Sequence, residues 1–182
     1  MLLFIDQTGR SVEINKRPQR IISLVPSQTE LLYDLGQDTE VAGITKFCIH
    51  PDHWFRNKTR VGGTKQVKMD IIHQLQPDLI IANKEENVKE QVEELASNYP
   101  VWISDINNLD DALLMISEIG SITGKEKAAQ NIMIQIKENF SSLKDPGYHP
   151  KTGYLIWKDP YMTVGGDTFI HSMLEAAGFE NI

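Results

Sequence analysis

RIISLVPSQTELLYDLG, residues 20–36, carries a strand, a turn and a helix in one continuous run. Arg20–Val25 is almost unbroken apolar sequence, the pattern of a parallel strand buried on both faces. Thr29–Leu35 spaces its leucines at helical intervals, and Gly36 stands where a helix C-cap is wanted. Between them lie the small and polar residues Pro26, Ser27, Gln28, Thr29 and Glu30. A strand that feeds a helix through a polar turn is the opening of a βαβ unit. It also presents free backbone amides at a strand end, which raises the question of what binds there.

The same alternation runs outward in both directions. Upstream, LLFIDQTGRSVEI reads as two short strands around the Thr8-Gly9 turn. Downstream, Glu40–Thr45 is a second buried strand, 46–60 shows no clean period, and 61–65 is a short loop. Asp70 is predicted to cap a brief helix over Ile71–Leu75, which Pro77 stops. Asp78–Asn83 is the clearest strand of the chain. Asn87 is predicted to cap an acidic helix reaching about Ser97, and Val101–Asp105 is the next strand. Asp110–Thr123 is helical, Gly124 interrupts, and Lys125–Leu143 follows as a long helix of roughly 28 Å at about 1.5 Å per residue. A strand over Thr152–Lys158, a hairpin-like return over Tyr161–Asp167 and a helix over Phe169–Ala177 complete the order. This order predicts an α/β fold, a Rossmann-like parallel sheet with helices on both faces. The last piece, 151–182, is too small to hold a core of its own.

The totals restrict function. Hydrophobic residues make up 41% of the 182 and charged residues 24%, as in soluble globular chains. A net charge of −7 argues against nucleic acid as a partner, because a broad basic face is what would displace phosphate counterions. No stretch approaches the roughly 20 apolar residues of a membrane span. Met1–Ile5 is apolar but is followed at once by Asp6, so a secretory signal is not expected in these residues and a cytoplasmic location stays open. A single cysteine, Cys48, precludes an internal disulfide.

In sheets of this type ligands bind beyond the carboxyl ends of the strands. After the first buried strand come Ser27 and Gln28; after the second, Lys46, Phe47, Cys48 and His50; the short loop gives Thr64 and Lys65; the next strand end gives Asn83 and Lys84. Lys46, Lys65 and Lys84 fall on one predicted edge, either as ordinary loop lysines or as an anion-receptive rim helped by helix amino ends. Cys48, His50 and His53 do not follow a zinc spacing, so no metal site and no catalytic residue is expected. Phe47, Trp54 and Phe55 either cover a core edge or wall a pocket for a large planar ligand, with Trp157 and Tyr161 as the opposite wall. No G-x-G-x-x-G follows the first strand, and no cofactor is expected. Glu85, Glu86, Glu90, Glu93 and Glu94 make one acidic exposed element, suited to solvent or to a basic partner.

The stretches DQTGRSVEI…RPQRIISLVPSQTELLYDLG, VGGT…DIIHQLQPDLIIAN and TVGGDTFIHSMLEAAGFENI resemble the periplasmic substrate-binding proteins of ABC importers for cobalamin, haem and ferric siderophores. The resemblance implies two α/β lobes joined by a rigid helix, with the ligand between them. It divides the chain into a first lobe (1–124), a linker helix (125–144) and the beginning of a second lobe (151–182). It implies a ligand site of Ser27, Gln28, Phe47, Cys48, His50, Thr64, Lys65, Asn83 and Lys84, to which the aromatic-wall reading adds Trp54, Trp157 and Tyr161. Cobalamin-binding members stack an aromatic residue near the end of the DLIIA strand; Asn83 stands at that place here. The resemblance also implies docking on an importer permease through Glu90, a monomeric state, and a location in the periplasm or on a membrane anchor. Two other readings stay open from the residues: a metal- or thiol-dependent enzyme using Cys48 and His50, and a cytosolic ligand-sensing domain of the same fold.

Overall fold

The computed structural model describes residues 2–145 and 147–182. The chain opens with a hairpin of β1 (Leu2–Ile5) and β2 (Ser11–Ile14), paired antiparallel from Leu2↔Ile14 to Ile5↔Ser11. Its turn is held by the Asp6 carboxylate, which accepts from the amides of Thr8 and Arg10 (2.9 Å each) and from the Thr8 hydroxyl (2.8 Å). Then follow β3 (Ile21–Ser23), α1 (Pro26–Asp34), β4 (Val41–Ile44), α2 (Asp52–Asn57), β5 (Thr59–Arg60), α3 (Met69–Leu75), β6 (Leu79–Asn83), α4 (Lys89–Ala96), β7 (Val101–Ser104) and α5 (Leu109–Thr123). After α6 (Glu126–Ser141) come the short strands β8 (Lys151–Thr152), β9 (Leu155–Trp157) and β10 (Met162–Thr163), then α7 (Phe169–Ala176) and β11 (Glu180–Asn181).

Five strands form the main sheet in the order β5-β4-β3-β6-β7, all parallel. Alternate residues of each strand face opposite sides. Ile21, Leu79 and Ile81 join a core with Leu32, Trp54, Trp102 and Ile119, beneath α1, α2 and α5. Ile22, Ile80 and Ala82 join a second core with Val61, Ile72 and Leu95, beneath α3 and α4. Both faces are therefore covered, which is why these strands read as continuous apolar runs rather than alternating ones.

Several local expectations are corrected. Residues 46–60 are not irregular throughout: Asp52–Asn57 is helical and Thr59–Arg60 pairs with β4. The first helix starts at Pro26 rather than Thr29, with Pro26 at its first position, where a missing N–H costs nothing. Gln28 and Thr29 thus belong to the helix's buried face and not to an open turn. Asn87 does not cap α4; its side chain accepts from the Asn83 amide (2.8 Å) and donates to the carbonyls of Thr64 (2.9 Å) and Leu24 (3.4 Å), tying three loops together. The 152–158 strand is broken at Gly153, so β8 pairs with β11 while β9 pairs with β10. The long helix is three residues shorter than expected, about 24 Å at about 1.5 Å per residue.

α5 and α6 pack closely after a left-handed Gly124 (φ 67°). Gly120 makes that approach feasible, because a Cβ there would overlap the Cβ of Ala129. α7 lies against α5, and within 151–182 only Val164 and Gly178 are buried.

Candidate ligand cleft

The chain runs from β3 outward to β4 and β5, then returns to place β6 on the other side of β3. The order of strands reverses between β3 and β6, and in open parallel sheets that reversal opens a crevice at the carboxyl edge. A cavity of about 480 Å³ lies there. Val25, Pro26 and Ser27 line it from the end of β3, and Asn83, Glu85 and Glu86 from the end of β6. Ile106, Ala112 and Met115 add apolar lining, and Phe169, at the start of α7, lines the cavity as well.

Pro26 and Ser27, the first residues of α1, line this cavity, and the first turn of the helix holds no acidic residue of its own, so the nearest carboxylates to its positive dipole end in the lining are those of Glu85 and Glu86. Ser27 is exposed there, and among the described residues its hydroxyl has no hydrogen-bond partner. Behind it Gln28 is 1% exposed; its Nε2 donates to the Ser104 hydroxyl, leaving Oε1 without a partner. Asn83 donates to the same hydroxyl (3.0 Å) while its Oδ1 accepts from the amides of Glu85 and Glu86 (2.9 Å each). This fixes Asn83 as the joint that turns the chain after β6 and sets the two glutamates at the cavity.

The lysine rim divides in the structure. Lys65 and Lys46 line a separate cavity of about 700 Å³ together with Phe47 and Thr64. Lys84 lines a third, of about 300 Å³, toward the hairpin turn and α4. There its ammonium meets Asp105 at 2.5 Å, and that hydrogen bond and the carboxylate's charge hold its pKa above 10.5. Lys84 is thus neutralised and turned from the cleft cavity, contrary to the single-edge expectation.

Two expected site residues lie in the core. Trp54, on α2, is fully buried, its indole N–H donating to Asp38, with Tyr33 packed edge-on at 5.5 Å. Cys48 is also fully buried, its sulfur 3.1 Å from the hydroxyls of both Thr29 and Thr45. Neither reaches a ligand surface, and a buried thiol bonded to two threonines has no base beside it to activate it. His50 is exposed and lines none of the three cavities. Among the described residues no three of His, Cys, Asp and Glu are placed to hold a metal ion. Trp157 and Tyr161 are 63% and 70% exposed on the C-terminal segment, outside the cleft cavity. Glu90 is exposed on the first turn of α4. The residue that sequence reasoning missed is Phe169: a lone aromatic at a helix start gives no local sign that it will meet Ser27 and Asn83.

The parallel sheet, the cleft at its switch point and the α5–α6 pair together define an α/β fold of the open, doubly wound kind. The periplasmic binding protein family matches residues 21–182, and the chain belongs to that family. An uncharacterised ABC transporter substrate-binding lipoprotein of Bacillus subtilis is 26% identical over 97% of this chain and 59% of its own length. A vitamin B12-binding protein of Vibrio campbellii is 26% identical over 92% of this chain and 62% of its own. The crystal structure of a possible iron-binding, periplasmic solute-binding protein of Staphylococcus epidermidis superposes with a TM-score of 0.79, at 26% identity, over 91% of this chain and 67% of that one. The chain spans about three-fifths of the length of the curated relatives it matches.

Proposed function

We propose that this chain captures a metal chelate at the switch-point cleft and presents it to an ABC importer, without performing chemistry on it. The observation that carries this is the cavity of about 480 Å³ lined both by the ends of β3 and β6 and by Phe169 of the C-terminal segment. A site shared between a complete sheet and a largely exposed segment is the geometry of a ligand held between two bodies. On this reading 1–124 is the first lobe, 125–144 the linker helix and 151–182 part of the opposing wall. A rigid helix between lobes favours small closure over wide hinge opening.

The relatives supply the ligand class. One is a vitamin B12-binding protein and another is described as a possible iron-binding protein, so chelated metal is the shared chemistry. The lipoprotein and periplasmic relatives support a place outside the cytoplasm. Glu90, exposed beside the Lys89–Glu93 pair (3.7 Å), is the candidate contact with a basic patch on the permease, the binding protein itself being a monomer. An enzyme built on Cys48 has no support from a thiol that is wholly enclosed.

Isothermal titration of the chain with cyanocobalamin, haem, ferric chelates and bare divalent ions tests this. Saturable micromolar or tighter binding by one chelate is expected, lost in Ser27→Trp, which fills the cavity from an exposed position without touching the core. Binding of bare ions alone, or chelate binding that ignores Ser27→Trp, overturns it.

A further inference from the structure

Val101–Ser104 is apolar up to its last residue, and that residue is a serine with no exposure at all. A buried hydroxyl needs partners, and Ser104 has a full set. Its Oγ accepts from Gln28 Nε2 and from Asn83 Nδ2 (3.0 Å), and it donates to the Ala82 carbonyl (3.3 Å). A hydroxyl has one proton and two acceptor lone pairs, so these three bonds saturate it. The two donors come from distant parts of the chain, 76 and 21 residues away. Gln28 lies in the first turn of α1, directly after Ser27, and Asn83 ends β6. Those two segments line the cleft cavity through Pro26 and Ser27 and through Asn83, Glu85 and Glu86, whereas Ser104 stands behind both and does not line it.

From Ser104 the hydrogen bonds run on into a closed circuit. Asn83 Oδ1 accepts from the amides of Glu85 and Glu86 (2.9 Å each), and the Asn83 amide donates to Asn87 Oδ1 (2.8 Å). Asn87 in turn donates to the carbonyl of Leu24 (3.4 Å), at the end of the strand that leads into α1. Ser104 is the link that two of these side chains cannot replace. Gln28 is 1% exposed, and among the described residues the Ser104 hydroxyl is the one partner of its amide, Oε1 having none. Asn83 Nδ2 reaches only Ser104, at Oγ and more weakly at the backbone carbonyl (3.4 Å). Loss of the hydroxyl therefore unfastens Gln28 and leaves Asn83 with one long bond. The strand itself does not depend on it, because Ser104 also pairs with Asn83 in the β6–β7 backbone ladder.

We infer that Ser104 is a positioning residue of the cleft. Its hydroxyl holds the first turn of α1 and the turn after β6 at one fixed spacing, so that Ser27 and the Glu85–Glu86 pair are set in place before a ligand arrives. Ser104 touches no ligand; it acts through Gln28 and Asn83. Describing the cavity as a ligand site rests on the chelate-binding reading above, but the spacing of its walls is a property of the chain alone.

Residue-resolved amide exchange on the ligand-free chain tests this with wild type, Ser104→Ala, Asn83→Ala, the Ser104→Ala/Asn83→Ala double variant and Thr123→Ala. The last removes an equally buried hydroxyl from the end of α5. Ser104→Ala is expected to speed exchange at Glu85 and Glu86 roughly tenfold, and the double variant to go no further than Asn83→Ala alone. Thr123→Ala should leave both amides as in wild type, whatever it does to global stability. Unchanged exchange in Ser104→Ala, or losses that add in the double variant, overturns the positioning role. Titration with cyanocobalamin, haemin and ferric citrate reads the consequence for binding. The probe that wild type binds is expected to lose about tenfold in affinity in Ser104→Ala and none in Thr123→Ala. Equal affinity in Ser104→Ala overturns the positioning role and leaves the chelate reading intact. Binding by no probe overturns the chelate reading, while the exchange at Glu85 and Glu86 still decides the role of Ser104.

Discussion

Cys48 and Trp54 show how much a residue's meaning depends on which way its backbone turns it. Both stand in a segment of loop composition, yet both are fully enclosed. A thiol reagent is therefore expected to leave native Cys48 unlabelled and to modify it only once the chain unfolds, and Cys48→Ser should leave ligand titrations unchanged. Trp54→Ala removes a large side chain from the core and should cost about 3–5 kcal/mol, read as a fall in the denaturant midpoint; Trp54→Phe should recover most of it. Lys84 makes a prediction in pH. Its folded pKa is raised above 10.5 by the hydrogen bond to Asp105 and by that carboxylate's charge. A raised value means that the pair's contribution is fully present below about pH 10.5 and is lost as the pH climbs through the folded value. Lys84→Met should consequently lower the melting temperature at neutral pH and lose its effect in strongly alkaline buffer.

Among the elements, the α5–α6 pair is the one with least room. Gly120 sits in the interface and faces Ala129, so Gly120→Ala forces the helices apart or a side chain off its rotamer. The expected cost is about 1–3 kcal/mol, which for a chain of this size is roughly 2–4 °C in melting temperature per kcal/mol. Thermal melts of Gly120→Ala beside Gly9→Ala separate packing from backbone effects, since nothing lies within 4 Å of a Cβ at Gly9 although its φ is 83°. The loop from β5 to α3 is the other constrained element, and its glycines are there for close approach of Phe47 and of its own backbone rather than for mobility.

At the scale of the molecule, stability is distributed unevenly. The five-stranded sheet is buried on both sides, whereas Leu155, Trp157, Tyr161 and Met162 are all exposed apolar side chains on β9, β10 and the turn between them. Amide hydrogen exchange should show β3, β6 and β7 protected up to the global unfolding energy and β8–β11 exchanging through local opening at much lower cost. Equal protection in the two regions would show that the C-terminal segment is as firmly held as the sheet. Occupation of the cleft by a chelate should raise protection at the start of α7, where Phe169 meets the cavity.

The sequence by itself determined the alternation of strands and helices, the two-sided burial of the sheet and the strand ends at which a site would form. Those properties follow from local periodicity, and local periodicity is what RIISLV, DLIIAN and VWISD display. The places of Ser27 and Asn83 beside the cleft cavity were legible for the same reason: Ser27 lies just past β3, in the first turn of α1, and Asn83 ends β6. Tertiary structure alone decided that Cys48 and Trp54 turn inward, that Lys84 is matched by Asp105 while Lys46, Lys65 and Lys68 line one hollow, and that Phe169 arrives at the same cavity as Ser27. Loop side chains have no period to betray their direction, and a partner far along the chain is chosen by the packing of whole helices, which no window of sequence contains.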